Sequence, residues 1–127
     1  ACRNVFLIRH PARVIPSYAR KMESVSLEAI GFPQQLSLFE QARALEGRAP
    51  IVVDSTDILR APDVKLRALC EALGLDWQSN MLAWTAGPKP EDGAWAPHWY
   101  DAVWSSTGFG SAPGDLPDVP SEHQAIY

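Results

Sequence analysis

An arginine, Arg9, ends the apolar run at 4–8 ("NVFLI"), and a serine, Ser17, stands eight residues further on. A guanidinium offers a planar two-pronged donor to phosphate oxygens, and a hydroxyl adds a single O–H donor. The pair therefore suits a small oxyanion held at the end of a strand. Arg13 lies four residues before Ser17 on one helix face and is a further donor. Plainer uses stay open on these residues alone: Arg9 pairs with Asp54 or Asp57 at a neighbouring strand end, or the basic run is a solvated helix face. Two histidines, His10 and His98, are candidate general bases. Their plainer roles are helix cap or solvent-facing side chain for His10, and packing within an aromatic loop for His98. Asp54, Asp57, Glu91 and Asp92 are the candidate paired carboxylates. Asp57 serves equally as a cap, and Glu91 and Asp92 as turn formers. No residue is singled out as the catalytic base.

Charge supports an anion at one end of the chain. The net charge is −4, yet up to Met22 there are five basic residues (Arg3, Arg9, Arg13, Arg20, Lys21) and no acid. The other six Lys/Arg face all fifteen Asp/Glu. Such a chain is a poor general nucleic-acid binder and a reasonable binder of one small anion. At 127 residues and 46% hydrophobic content the expectation is one packed domain. The cysteines, Cys2 and Cys70, lack metal-ligand spacing and read as reduced packing thiols of a cytoplasmic protein. No apolar run reaches membrane-span length and no signal peptide is visible, so no membrane partner is expected.

The elements that must position Arg9 and Ser17 follow from the pattern. The run at 4–8 suits a strand buried on both faces, as in a parallel sheet. Pro11 marks a helix start, and Pro16 is expected to kink that helix or delay its regular part. A bent first turn would fold Ser17 back toward the strand end. Residues 24–32 predict a short helix closed by Gly31, and 33–47 a longer one with Leu38, Phe39, Ala42 and Leu45 on one side. "APIVVDS" is a second strand, so the helices between form a crossover. Residues 62–74 are an amphipathic helix opened by Pro62 and closed by Gly74. A helical turn is expected around "NMLAW". Beyond Trp84 lie more than half of the prolines and tryptophans, which predicts an ordered aromatic loop, then a flexible tail over 110–127. Two parallel strands make a poor sheet alone, so the chain is expected to be part of something longer, with an exposed apolar sheet edge beside 4–8 open to a partner or to a second copy.

Three ordered segments resemble the sulfotransferases that use 3′-phosphoadenosine 5′-phosphosulfate. "FLIRHPARVIPSY" is similar to their 3′-phosphate-binding segment, with Arg9 and Ser17 at the matching spacing. "IVVDSTDILRAPDVKLRALCEALGLDW" is similar to a later strand, a short acidic motif and the helix after it. There Ser55-Thr56-Asp57-Ile58 replaces the usual Tyr-Glu-Asp-Leu, so the aromatic beside adenine is missing. "KPEDGAWAPHW" is similar to the lysine-containing loop, with Lys89, Gly93, Trp95 and His98 in register and Pro88 where arginine is common. "GFPQQLSLFEQ" and "GPKPEDGAWAPHWY" look closest to a small bacterial branch.

This resemblance, over about 4–109, implies an α/β fold: the carboxyl-terminal part of a three-layer, P-loop-NTPase-like sulfotransferase domain with a short parallel sheet, a helical crossover and a long terminal loop. It implies that Arg9, Ser17 and Lys89 bind the donor's 3′-phosphate, with Gly93 allowing close approach. The implied cofactor is 3′-phosphoadenosine 5′-phosphosulfate, and the implied partner is a small hydroxyl acceptor. No metal is implied. The family also uses a Gly-rich phosphate loop, and no G-x-x-x-x-G-K-[ST] match occurs in the 127 residues. The alternatives are a non-catalytic 3′-phosphonucleotide-binding module and a degenerate interaction domain.

Overall fold

The computed structural model describes residues 3–127. Cys2 lies outside the described residues, and the expectation for its thiol with it. Two strands, β1 (Val5–Ile8) and β2 (Ile51–Asp54), pair in parallel with Val5 opposite Ile51 and Ile8 opposite Asp54. The chain between them holds α1 (Pro11–Ala19) and α2 (Phe32–Glu46). After β2 come α3 (Ser55–Arg60) and α4 (Pro62–Leu73), a 3-10 turn at Ser79–Leu82, and the short helices α5 (Ala96–Trp99) and α6 (Asp101–Trp104). The result is a mixed α/β chain on a short parallel sheet. No helix among the described residues is long and apolar enough to cross a membrane.

Two compact units form. The first joins the residues up to Thr56 with Pro113–Tyr127, and the second is Asp57–Ala112. In the first unit Ile15 of α1 is fully buried, packed with Ala12 and Val119 and flanked by Val25, Ile30 and Ile126. Residues from Pro113 onward, expected as a tail, thus lie against α1. Val119 and Ile126 supply the apolar contacts, Ser121–Ile126 forms a 3-10 turn, and Gln124 Nε2 donates to the Val119 carbonyl at 2.8 Å. Apolar burial at these two positions favours that placement.

The sheet is less well covered. Leu7 is 56% and Val52 47% exposed. On the α2 side Phe6, Ile8 and Val52 line an open cavity of about 300 Å³ with Phe32, Leu36 and Phe39. Phe6 and Phe39 meet edge to face at 5.4 Å. Two side chains of α2 bind main-chain groups of the β1 segment: Gln35 Nε2 donates to the Leu7 carbonyl at 3.0 Å, and Glu46 accepts from the Asn4 amide at 3.3 Å. The Asn4 side chain also donates to Glu46, at 2.8 Å, and chiefly this bond holds the Glu46 carboxyl below its ordinary range.

Two local expectations differ from what forms. Residues 27–31 form a turn where a helix over 24–32 is expected: Ser26 Oγ accepts from the Ala29 amide, the Ile30 amide reaches the Ser26 carbonyl, and Gly31 ends the turn in the left-handed region. Ser26 caps this single turn, and Gly31 at φ +79° stops it from extending. Also, α1 runs through Pro16 without interruption. The missing N–H is tolerated because Ile15, its neighbour, anchors this helix in the core.

In the second unit Cys70 of α4 is buried, its sulfur 3.8 Å from that of Met81. Gly74 at φ +70° closes α4, and the Leu75 amide bonds back to the Cys70 carbonyl at 2.8 Å. The long loop is held by an antiparallel bridge between Ala83 and Gly108. A side chain at Gly108 would come within 3.1 Å of the Leu82 carbonyl, so the bridge favours glycine there.

Candidate functional site

Arg9 follows the last residue of β1, beyond the carboxyl end of a parallel strand, the position where open α/β sheets bind ligands. Its side chain is exposed and, among the described residues, forms no hydrogen bond or ion pair. The acids weighed as its partners are engaged elsewhere. Asp54, which pairs with Ile8 at the end of β2, accepts from the Thr56 amide at 2.7 Å and so caps α3. Asp57 pairs with Lys65 at 3.1 Å and Arg60 at 3.8 Å.

His10 caps α1: its Nδ1 accepts from the Ala12 amide at 3.2 Å. Its carbonyl takes the amides of Arg13 and Val14. With proline at the first helical position, the helix N-terminus has few unused donors left for an anion. The strand end thus offers the Arg9 guanidinium and little backbone.

Ser17 is the seventh residue of an uninterrupted helix, roughly 9 Å along the axis from its start. The structure does not bring it into contact with Arg9. Instead Ser17 Oγ accepts from Arg20 Nη2 at 3.5 Å. Arg13 is committed to the terminal segment: its Nη2 donates to the carbonyls of Gly114 and Asp115, the latter at 3.2 Å. Its Nε is buried without a partner. Arg13 is therefore a packing arginine, and Arg20 is the cation beside Ser17. The spacing i, i+3 carried that signal.

In the second unit Lys89 and Gly93 share one loop. Lys89 Nζ donates to Thr85 twice, to its carbonyl at 2.8 Å and its hydroxyl at 2.5 Å. The ammonium therefore rests on neutral oxygens. The Lys89 amide donates to Asp92 Oδ2 at 2.8 Å, and the indole Nε1 of Trp104 reaches the same oxygen at 2.7 Å. These two bonds, the backbone one first, hold the Asp92 carboxyl below its ordinary range. A side chain at Gly93 would meet no atom within 4 Å, so this face of the loop is open. His98 sits with its ring 5.9 Å from that of Trp95. The remaining tryptophans mostly pack: Arg67 lies 4.4 Å over Trp77, and Trp84 meets Phe109 edge to face. Among the described residues no cluster of His, Cys, Asp or Glu could hold a metal ion.

Known proteins place the chain. The sequence model of a family described as "Sulfotransferase domain" matches residues 1–125. Two proteins of Arabidopsis thaliana are similar to it. "Branched-chain-amino-acid aminotransferase-like protein 2" is 38% identical over 117 residues, which is 92% of this chain and 20% of that protein. "Branched-chain-amino-acid aminotransferase-like protein 1" is 39% identical over 109 residues, 86% of this chain and 19% of that protein. The chain thus spans about a fifth of the length of these curated relatives. No solved structure matches.

Proposed function

The chain belongs to the sulfotransferase-domain family, and on that premise we propose that it contributes to binding 3′-phosphoadenosine 5′-phosphosulfate through the 3′-phosphate, in a domain that transfers the sulfuryl group to a hydroxyl acceptor. The observation that carries this reading is Arg9: an exposed guanidinium at a parallel strand's carboxyl end, without an ion pair among the described residues, while Asp54 beside it is spent on α3. A bidentate fork there matches phosphate oxygens. Ser17, with Arg20 next to it, is a second donor on α1. The Lys89–Gly93 loop is a donor-binding element in its own unit, with an ammonium on neutral oxygens and an unobstructed face at Gly93. The three-layer architecture belongs to the same proposal. The names of the two plant relatives describe chains of which the shared segment is about a fifth, and aminotransfer is not part of this reading.

Sulfuryl transfer asks the protein mainly for positioning and charge stabilisation. The donor supplies the transferable group. This chain's residues anchor the distal phosphate and so fix the donor's orientation. A second reading, nucleotide binding without transfer, is favoured by His10: the base nearest Arg9 in sequence spends its Nδ1 as a helix cap.

Calorimetry tests the proposal. Adenosine 3′,5′-bisphosphate should bind and AMP should bind at least tenfold more weakly, a difference of about 1.4 kcal/mol. Equal affinity for the two nucleotides, or none for either, removes the 3′-phosphate assignment. A sulfate-transfer assay on the binding-competent protein then separates the two readings.

A further inference from the structure

Trp104 holds the lysine loop at two points. Its carbonyl accepts from the Gly87 amide at 2.7 Å, and its indole Nε1 donates to Asp92 at 2.7 Å. Asp92 in turn closes a tight turn on Lys89: the Asp92 amide bonds to the Lys89 carbonyl at 3.1 Å, and the Asp92 carboxylate takes the Lys89 amide at 2.8 Å. The Lys89 backbone is thereby fixed from both ends of residues 87–92. The Trp104 ring is itself braced edge to face by Tyr100 at 6.4 Å.

The side chain of Lys89 contrasts with its backbone. It touches the carbonyl and hydroxyl of Thr85 and no carboxylate among its hydrogen-bond partners. The Asp92 carboxylate, three residues on, is turned to the Lys89 N–H and the indole N–H. A carboxylate satisfied by N–H donors does not neutralise the ammonium by direct pairing. The arrangement is a backbone-anchored base carrying a cation held only by neutral acceptors among its hydrogen-bond partners.

We infer that Asp92, braced by Trp104, is a positioning residue that holds Lys89 ready for an anionic ligand, acting through the lysine without touching the ligand. This rests on the reading of Lys89 as a contact to a phosphorylated nucleotide. The bond pattern accounts for an aspartate at the position before Gly93: the acid supplies two acceptor contacts to one oxygen, and the residue after it leaves the face open.

The test is a double-mutant cycle on the 127-residue chain, read by calorimetry with adenosine 3′,5′-bisphosphate. Lys89→Ala should weaken binding about tenfold, the scale of a charge-assisted hydrogen bond. Asp92→Ala should weaken it about fivefold. Asp92→Asn, which keeps an acceptor oxygen, should stay within about twofold, and Glu71→Gln, on the exposed face of α4, should change nothing. Trp104→Phe, which keeps a ring and loses the Nε1 donor, should follow Asp92→Ala. The decisive result is non-additivity: Asp92→Ala on top of Lys89→Ala should cost nothing more, because the aspartate has no lysine left to place. Circular dichroism confirms that each variant is folded, and Trp104→Phe, alone and on top of Lys89→Ala, carries the test should Asp92→Ala not be. Binding that depends on Lys89 and is indifferent to Asp92, or additive losses, overturns the inference while leaving the nucleotide reading standing. Wild-type protein that does not bind overturns both, and binding that ignores Lys89→Ala removes the contact on which Asp92 is said to act.

Discussion

Replacing Ile15 by alanine should remove the keystone of the first unit. Ile15 is fully buried, packed with Ala12 and Val119 and flanked by Val25, Ile30 and Ile126. The substitution deletes three carbons. At about 0.8 kcal/mol per buried CH₂ the transfer loss is about 2.4 kcal/mol. A residual void of about 60 Å³ adds about 1.4 kcal/mol at about 24 cal/mol per Å³. The expected cost is therefore about 3.8 kcal/mol, a large share of an ordinary domain's total. Urea unfolding followed by far-ultraviolet circular dichroism is the assay, because all five tryptophans lie in 57–112 and their fluorescence reports the other unit. Leu45→Ala is the control: that side chain is 88% exposed and should cost about 0.5 kcal/mol or less. A loss under about 1 kcal/mol at Ile15, or equal losses at both positions, would refute the claim that this cluster organises α1 and the terminal segment.

Arg9→Ala should weaken adenosine 3′,5′-bisphosphate binding tenfold or more, and Arg9→Lys should restore only part of it because an ammonium lacks the planar fork; titration calorimetry checks both. Gly74→Ala should destabilise by about 1 kcal/mol, since its φ of +70° is costly for a residue with a side chain, and thermal melting reads it. Asp92 and Glu46 have carboxyls held below their ordinary values of 3.8 and 4.5, so the folded state binds their protons less readily than the unfolded state does. Their contribution is present in full above those values and is lost as pH falls through the lowered ones. The indole N–H resonance of Trp104, which donates to Asp92, should shift in that acid range in nuclear magnetic resonance spectra, and an unchanged signal down to full unfolding would contradict the bond.

Local patterning made most of the fold legible. Both strands were continuous apolar runs, and α1, α2 and α4 each open with a proline at a first or second position. The 3-10 turn at Ser79–Leu82 lies where a helical turn was expected around "NMLAW". What stayed hidden depends on distant partners. Nothing local says that Val119 and Ile126 cover Ile15, or that Arg13 reaches the carbonyls of Gly114 and Asp115, more than a hundred residues away. Pro16 signals a break that would carry Ser17 back toward the strand end, yet α1, anchored by the buried Ile15, continues to Ala19. The Lys89–Gly93 loop could be located by spacing, yet the bonds from Asp92 to Trp104 and to the Lys89 amide are tertiary facts that spacing does not encode.

The lacing of α2 onto β1 also governs how this sheet meets other chains. An intruding strand that sought the Leu7 carbonyl or the Asn4 amide would find each already stoppered by a side chain, Gln35 and Glu46. Both stoppers hang on flexible stems and come from a single helix, so shifting α2 would uncover the pair at once. Sheet extension here is thereby tied to the movement of one helix, and greasy side chains on the strand do not suffice to bring it about.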